Sequence, residues 1–282
     1  MKAALVPEAI VRLSPLVRRI TQNNPGVMTG PGTNTYLVGR ESLFILDPGE
    51  NTEEHFEVLL RAVGATAVAG IAPTHAHPDH WPLAPRLAGA LGAETYGFKP
   101  HNGYRPGRLL RDGATVQGSG WTLEALHTPG HLSDHLSYLL REERSLFTGD
   151  HVMAWSTSVI AHPDGNLNSY LASLERLLAM DLDRMYPAHG EAIDHGRARV
   201  AELLAHRRMR TAQVRDALAA GLNTVPAMVE HIYADVDPLL WGAAGQSLLA
   251  HVEALIEAGE VVVAIPAPHP LQAGYALRGS AG

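Results

Sequence analysis

Apolar positions in the first half of the chain follow the periods of both strands and helices. Alternating β-branched and aromatic residues on either side of Gly39-Arg40-Glu41 predict a hairpin. The spacing of Phe56, Leu59 and Val63 is that of an amphipathic helix. The predicted elements are strands at 33–39, 42–49 and 67–73, helices at 53–65 and 82–93, and short paired strands between 107 and 150.

The second half changes from a mixed pattern to a helical one. A leucine stripe predicts a helix over 167–180, and a short strand is expected at 184–190. After about residue 195 three helical segments are followed by two short strand candidates, which is the order of a winged helix. We therefore expect an α+β protein with domains at 1–194 and 195–282.

Composition narrows the classes of protein. The 282 residues are 46% hydrophobic, enough for a sizeable core. The N-terminal twenty residues lack the uninterrupted apolar run of a signal peptide, and no run of about 20 apolar residues is present, so a cytoplasmic protein without a membrane partner is expected. The sequence contains no cysteine, so a metal ion must be held by nitrogen and oxygen atoms.

The stretch 74–80, THAHPDH, is the strongest chemical signal. His75 and His77 are two residues apart, so at the end of a strand both rings point to one face. Asp79 and His80 follow Pro78, which breaks the strand and lets them approach a second ion. A solvated polar loop is the alternative interpretation, and this stretch alone does not separate one ion from two.

Three later segments add ligands of the same type. His131, Asp150 and His189 each stand where an apolar strand gives way to Gly or Pro, where loops carry functional side chains. Imidazole and carboxylate groups in this number suit two closely spaced zinc-like ions. Four further histidines are candidates for supporting contacts: His127, His135, His151 and His195.

The ordered set of histidines and aspartates resembles the metallo-β-lactamase superfamily of metal-dependent hydrolases over residues from about 20 to 190. The resemblance implies a four-layer αβ/βα sandwich with a dinuclear site at one edge. It also implies two zinc ions, with iron or manganese as alternatives. The implied ligands are His75, His77 and His131 on one ion, Asp79, His80 and His189 on the other, and Asp150 as the bridge.

A closer resemblance, to the β-lactamase-like protein 2 branch, rests on three segments. These are TGPGTNTYLVG (29–39), TPGHLSDH (128–135) and the helical tail that begins at HRRMRTAQ. The branch carries a small winged-helix-like C-terminal domain and includes an endoribonuclease acting on single-stranded RNA and thioesterase-like enzymes. Glyoxalase II-like hydrolases are near relatives.

Such a site supplies a hydroxide at neutral pH, with Asp79 orienting the nucleophile or taking its proton. The same chemistry serves esters, thioesters, lactams and phosphodiesters, so the rim must select the substrate. Asp47 is a candidate partner for a histidine ligand, with a simple strand-end role as the alternative. The rim candidates are Asn34, Trp81, Trp155 and His162.

We expect a hydrolase of an ester, thioester or similar small carbonyl substrate. A ribonuclease, with Arg197, Arg199 and the arginines of 205–210 on a phosphate-binding face, is one alternative, and a weak β-lactam hydrolase is another. Non-hydrolytic alternatives are an iron-dependent oxygenase and a nucleic-acid-binding regulator.

Residues 201–282 hold five arginines, no lysine and eight acidic residues, a net charge of −3, so no DNA partner is expected. A homodimer remains open.

Overall fold

The computed structural model describes residues 5–279, which form two compact units. The first unit holds the described residues up to Thr128 together with 134–157 and 179–199. The second holds 129–133, 158–178 and the described residues from Val200 onward. The units therefore alternate along the chain, and the boundary at 194/195 stays a prediction. Residues 1–4 lie outside the described residues. They begin the N-terminal stretch that is predicted to lack a signal peptide.

Two five-stranded sheets form the frame of the first unit. The strand order of the first sheet is β1 (Ile10–Arg12), β2 (Val17–Thr21), β3 (Asn34–Gly39), β4 (Ser42–Leu46) and β5 (Ala67–Ala72). Neighbouring strands in it are antiparallel except β4 and β5, which are parallel. A separate short parallel pair is β6 (Tyr96–Gly97) and β7 (Arg108–Leu109). The second sheet runs, from one edge to the other, through β12 (Arg184–Pro187), β11 (Ser145–Gly149), β10 (Leu136–Leu140), β9 (Trp121–His127) and β8 (Thr115–Gly118).

The inner faces of the two sheets share one buried core. Tyr36 and Phe44 of the first sheet lie in it with Tyr138 and Phe147 of the second. The outer face of the first sheet is covered by α1 (Glu53–Val63) and α2 (Ala84–Leu91), whose apolar stripes form a second core. Burying both faces explains why β3 and β4 read as nearly continuous apolar runs.

The strand directions place the predicted ligand segments together. Because β4 and β5 are parallel, their carboxyl ends meet at one edge, so Asp47 and the stretch 74–80 are neighbours there. Parallel pairing of β11 with β12 likewise brings Asp150 and His189 to a common edge. An isolated bridge between Thr33 and His189 joins the two edges.

The second unit is mainly helical. It contains α3 (Leu167–Leu178), the part of α4 (Gly196–Ala219) from Val200, α5 (Val225–Ile232), α6 (Trp241–Glu257) and the hairpin β13 (Val261–Ile265) with β14 (Gly274–Leu277). Three helices followed by a two-stranded hairpin are the predicted winged-helix order.

One helical stretch within residues 5–279, Pro238–Glu257, is long and apolar enough to cross a membrane by length and composition. Its residues Leu248, Leu249, Val252 and Leu255 are buried in the core of the second unit. A core helix meets the same two criteria, so this stretch alone does not indicate a membrane protein.

Candidate metal centre

One group of predicted ligands forms where β5 and β11 end. His75, His77 and Asp150 each offer a ligand atom within 4.8 Å of the others. His75 Nε2 and His77 Nδ1 are 2.9 Å apart, and Asp150 Oδ2 lies 3.9 Å from His75 Nε2. The one-residue spacing thus turns both rings to the same point, as the sequence predicts.

A second group forms beside the first. Asp79, His80 and His189 also bring their ligand atoms within 4.8 Å of one another. Asp79 Oδ2 lies 3.2 Å from His80 Nε2 and 3.3 Å from His189 Nε2. The backbone N–H of His80 donates to the His77 carbonyl at 3.0 Å, so a tight turn after His77 redirects the chain toward this group.

Asp150 faces both groups. Its Oδ1 lies 3.3 Å from His189 Nε2 and 3.8 Å from His80 Nε2, whereas its Oδ2 is the oxygen near His75. The two oxygens of one carboxylate are therefore directed at different ligand groups.

Asp47 supports this centre from behind. Its Oδ1 accepts hydrogen bonds from the Thr74 backbone N–H at 2.7 Å and from Thr74 Oγ1 at 3.0 Å, and it lies 3.1 Å from His80 Nδ1. Thr74 Oγ1 is also 3.0 Å from His75 Nδ1. Contacts at Nδ1 orient the rings so that Nε2 of His75 and of His80 faces the centre, which is the predicted role of Asp47.

Asn34 has a different role from the predicted one. Its side chain is fully buried, and its amide donates to the carbonyls of Pro187 and Gly190 at 3.0 and 2.8 Å. These bonds fix the segment that carries His189, whose Nδ1 lies 3.2 Å from the Gly32 carbonyl. Asn34 is thus a support of the ligand loop and is not exposed for substrate contact.

Close contacts between acids and bases shift the pKa values of three residues in this centre. Burial lowers the pKa of His80, but Asp79 and Asp47 outweigh it and raise that pKa well above its ordinary value. Burial likewise lowers the pKa of His189, and Asp150 with Asp79 raises it to about 10. Burial raises the pKa of Asp79, whereas His80 and His189 bring it far below its usual range. A divalent cation satisfies the same carboxylates while the imidazoles are neutral.

The donor set fits such a cation. Imidazole nitrogen and carboxylate oxygen are the ligands of zinc, iron and manganese, and thiolates are excluded by composition. The ring of His80 is fully buried between carboxylates: Nδ1 lies 3.1 Å from Asp47 Oδ1, and Nε2 lies 3.2 Å from Asp79 Oδ2. A buried imidazole with a carboxylate behind it and another beside its Nε2 has the surroundings of a metal ligand.

His131 belongs to the segment 129–133 of the second unit. Its Nδ1 lies 2.5 Å from the Val159 carbonyl oxygen, which leaves Nε2 as the ligand atom. The adjoining Ser158 carbonyl accepts a hydrogen bond from the buried Arg207. These contacts orient the ring of His131, which is a proposed metal ligand.

The other rim candidates differ in exposure. Trp155 is 49% exposed, and its ring lies close to Gly190, directly after His189. Trp81 is partly buried against Tyr104, with ring centroids 5.5 Å apart. His162 lies in the second unit, where its Nδ1 is 2.7 Å from Glu253 Oε1. Substrate binding by these three side chains stays a prediction.

His135 is one of the four histidines named as candidates for supporting contacts, and it packs against His75. Its ring stacks on His75 with centroids 5.1 Å apart, and its Nδ1 lies 2.9 Å from Thr128 Oγ1. A Cβ on Gly149 would come within 2.6 Å of His135 Nε2, so this position requires glycine. The signal in the sequence is the histidine four residues after His131.

Comparison with known proteins places this centre in a family. Residues 28–189 match the metallo-beta-lactamase superfamily, and residues 224–264 match the beta-lactamase associated winged helix domain. The chain therefore belongs to the metallo-beta-lactamase superfamily, whose members typically bind divalent metal ions, and it is a hydrolase. The predicted fold class, with its winged helix, is confirmed.

Two fungal proteins are among its relatives. The lactamase-like protein vrtG of Penicillium aethiopicum is 36% identical over 81% of this chain and 76% of its own length. The atrochrysone carboxyl ACP thioesterase dmxR1 of Cryptosporiopsis is 33% identical over 77% of this chain and 67% of its own. A metallo-beta-lactamase family protein from Thermus thermophilus shares the fold, with a TM-score of 0.78, 24% identity, and coverage of 95% of this chain and 100% of that chain.

Proposed function

We propose that the protein is a dinuclear metallohydrolase that cleaves esters or thioesters of small acyl compounds. The observation that carries the proposal is the position of Asp150, whose two oxygens face separate groups of histidines. One carboxylate directed at two ligand groups is the arrangement expected of a bridge between two ions. Zinc is the proposed metal, with iron or manganese as alternatives.

The ligands divide between the ions by their contacts. His75 and His77 would hold one ion, and Asp79, His80 and His189 would hold the other. His131 would complete the first ion through Nε2, because its Nδ1 is engaged by Val159. When bound, such ions polarise the carbonyl and lower the pKa of water from about 15.7 toward about 7.

Asp79 is the proposed proton acceptor. Its side chain is 20% exposed, unlike those of His80 and His189, so the carboxylate can meet a water molecule. Thr33 Oγ1 donates to Asp79 Oδ2 at 3.2 Å and fixes that oxygen. Asp79 would hold the attacking water, take its proton, and return a proton to the leaving alkoxide or thiolate.

Two observations favour an acyl substrate over RNA. The relative dmxR1 is named an acyl carrier protein thioesterase. Two of the arginines proposed for a phosphate-binding face are engaged elsewhere: Arg207 is 2% exposed, and Arg208 pairs with Glu175 at 2.9 Å. A thioester also needs little protonation of its leaving group, which suits a site whose general acid is a single aspartate.

The test is a substrate panel on the metal-loaded protein. The panel holds an acyl thioester, its matched oxygen ester, a lactone, a phosphodiester, single-stranded RNA and a β-lactam. His77→Ala removes a ligand, and His231→Ala, at an exposed position on α5, is the matched control. Metal analysis of each sample accompanies the assays.

We expect thioester or ester turnover that His77→Ala abolishes and His231→Ala preserves, with about two ions per wild-type chain. Preferential cleavage of RNA would replace the substrate class. Metal-independent turnover, or equal turnover by His77→Ala, would refute the mechanism. A single iron with oxygen uptake would favour the oxygenase alternative.

A further inference from the structure

A second concave site lies in the first unit, between β1, β2 and the turn from β3 to β4. Its volume of about 300 Å³ lies at the lower limit of small-molecule sites. Three of its lining residues are arginines and none is acidic. The lining consists of Arg12, Pro15, Leu16, Arg18, Gly39, Arg40 and Thr66.

Two of these arginines oppose each other across a strand pair. Arg12 on β1 is in register with Arg18 on β2, and like charges in that position repel. Burial and Arg12 together lower the pKa of Arg18. Arg18 Nη1 donates to the Ala62 carbonyl at 2.9 Å, which leaves its charge without a carboxylate. The next residue, Arg19, is instead neutralised by Glu191 at 3.0 Å.

The third arginine is held beside the cavity by a backbone contact. Arg40 Nε donates to the Pro15 carbonyl at 3.0 Å. The neighbouring acid, Glu143, accepts hydrogen bonds from Ser14 Oγ and from the Leu16 N–H. Among residues 5–279, none of the three lining arginines forms an ion pair with a carboxylate, so the cavity has an uncompensated positive charge.

The cavity is remote from the metal centre. Thr66 precedes β5, whereas the ligand stretch 74–80 follows that strand. A strand of six residues spans roughly 20 Å at about 3.3 Å per residue. A group bound among the arginines therefore lies at the opposite end of the sheet from Asp150 and His75.

We propose that this cavity binds the phosphate group of a small phosphorylated molecule. Guanidinium groups present pairs of N–H donors that match phosphate oxygens, and Arg12, Arg18 and Arg40 all line the one concave space. A dianion also relieves the repulsion between Arg12 and Arg18. The cavity volume of about 300 Å³ suits a phosphate group and a short organic remainder.

Calorimetric titration of the metal-loaded protein tests the proposal. The probes are inorganic phosphate and glycerol 3-phosphate, with glycerol as the uncharged control, all at constant ionic strength. The test variant is Arg12→Gln with Arg40→Gln, because both side chains are exposed and their loss spares the core. Arg105→Gln with Arg111→Gln removes the same charge from exposed positions outside the cavity.

We expect one phosphate site per chain, with affinity reduced at least about tenfold in the cavity variant and unchanged in the control variant. The site should persist in His77→Ala, which separates it from phosphate held by the metal ions. Tighter binding of glycerol 3-phosphate indicates a phosphomonoester ligand, and equal binding indicates free phosphate. Absence of binding, equal affinity in the cavity variant, or loss of the site in His77→Ala would overturn the proposal.

Discussion

Replacing Asp47 with alanine measures how far the metal ligands depend on the residue behind them. Asp47 is 1% exposed and serves both the Thr74 backbone and the ring of His80. It also has a φ of 48°, a left-handed conformation that aspartate and asparagine tolerate better than other side chains. The substitution therefore perturbs a ligand contact and a backbone turn together.

The structure sets the scale of the effect. A buried Thr74 N–H without its acceptor costs about 1–3 kcal/mol. Left-handed backbone at an alanine adds about 1–2 kcal/mol. We therefore expect the free energy of unfolding to fall by roughly 2–5 kcal/mol. Loss of the His80 partner should weaken metal binding by about 10- to 100-fold.

Chelator competition measures the metal affinity, and urea unfolding of the same samples measures stability. Asp47→Asn is the informative companion, because it tolerates the turn and keeps an acceptor for Thr74 while removing the charge beside His80. It should lose metal affinity with a smaller loss of stability. Asp181→Ala, at a position 86% exposed, is the surface control. Metal affinity in Asp47→Ala equal to that of the wild type would show that the contact with His80 does not support the ligand.

Two further substitutions test the second unit. Gly130 has a φ of 139°, and a Cβ there would lie 2.3 Å from Tyr170 Cα, so Gly130→Ala should destabilise by more than about 1–3 kcal/mol in urea unfolding. Gly242→Ala is the control, because a Cβ at that helical position meets open space. Burial, then Arg207, lowers the pKa of His251 to about 3. Because the unfolded histidine takes up its proton near pH 6.5, the free energy of unfolding should fall as pH drops from 6.5 toward 3. His251→Gln should flatten that dependence in unfolding curves at pH 7, 5 and 4, and an unchanged slope would contradict the assignment.

The ligand stretch was predictable because its chemistry is local. His75 and His77 follow the end of β5 with one residue between them, which brings their rings together, and Pro78 marks the turn that carries Asp79 and His80 to the other group. The helices of the first unit were predictable for the same reason, since their apolar stripes repeat every three to four residues. His131, Asp150 and His189 were candidates from their positions at the ends of strands, but their assignment to particular ions needed the family resemblance, because it depends on strand order.

Residues that act through distant partners escaped prediction. Strand β2 carries two adjacent arginines, which obscure its alternating apolar pattern. Arg19 is buried and pairs with Glu191, a residue far along the chain. Asn34 looked like a rim residue because it follows a Gly-Pro-Gly loop. Its carbonyl partners belong to Pro187 and Gly190, which lie 153 and 156 residues later in the sequence. No local sequence pattern points to contacts over that separation.

The support of His131 explains why the second unit cannot be regarded as a simple C-terminal attachment. The Val159 carbonyl orients His131, and the adjoining Ser158 carbonyl is held by Arg207 from α4. Tyr170 also donates to Ser158 Oγ at 3.3 Å and carries the Arg207 guanidinium over its ring. A chain ended at residue 194 keeps His131 but loses Arg207. The Ser158 carbonyl, beside the Val159 carbonyl that orients His131, then lacks this donor. Loss of metal on such a truncation would therefore follow from the contacts within this unit, without any role for its winged helix in binding substrate.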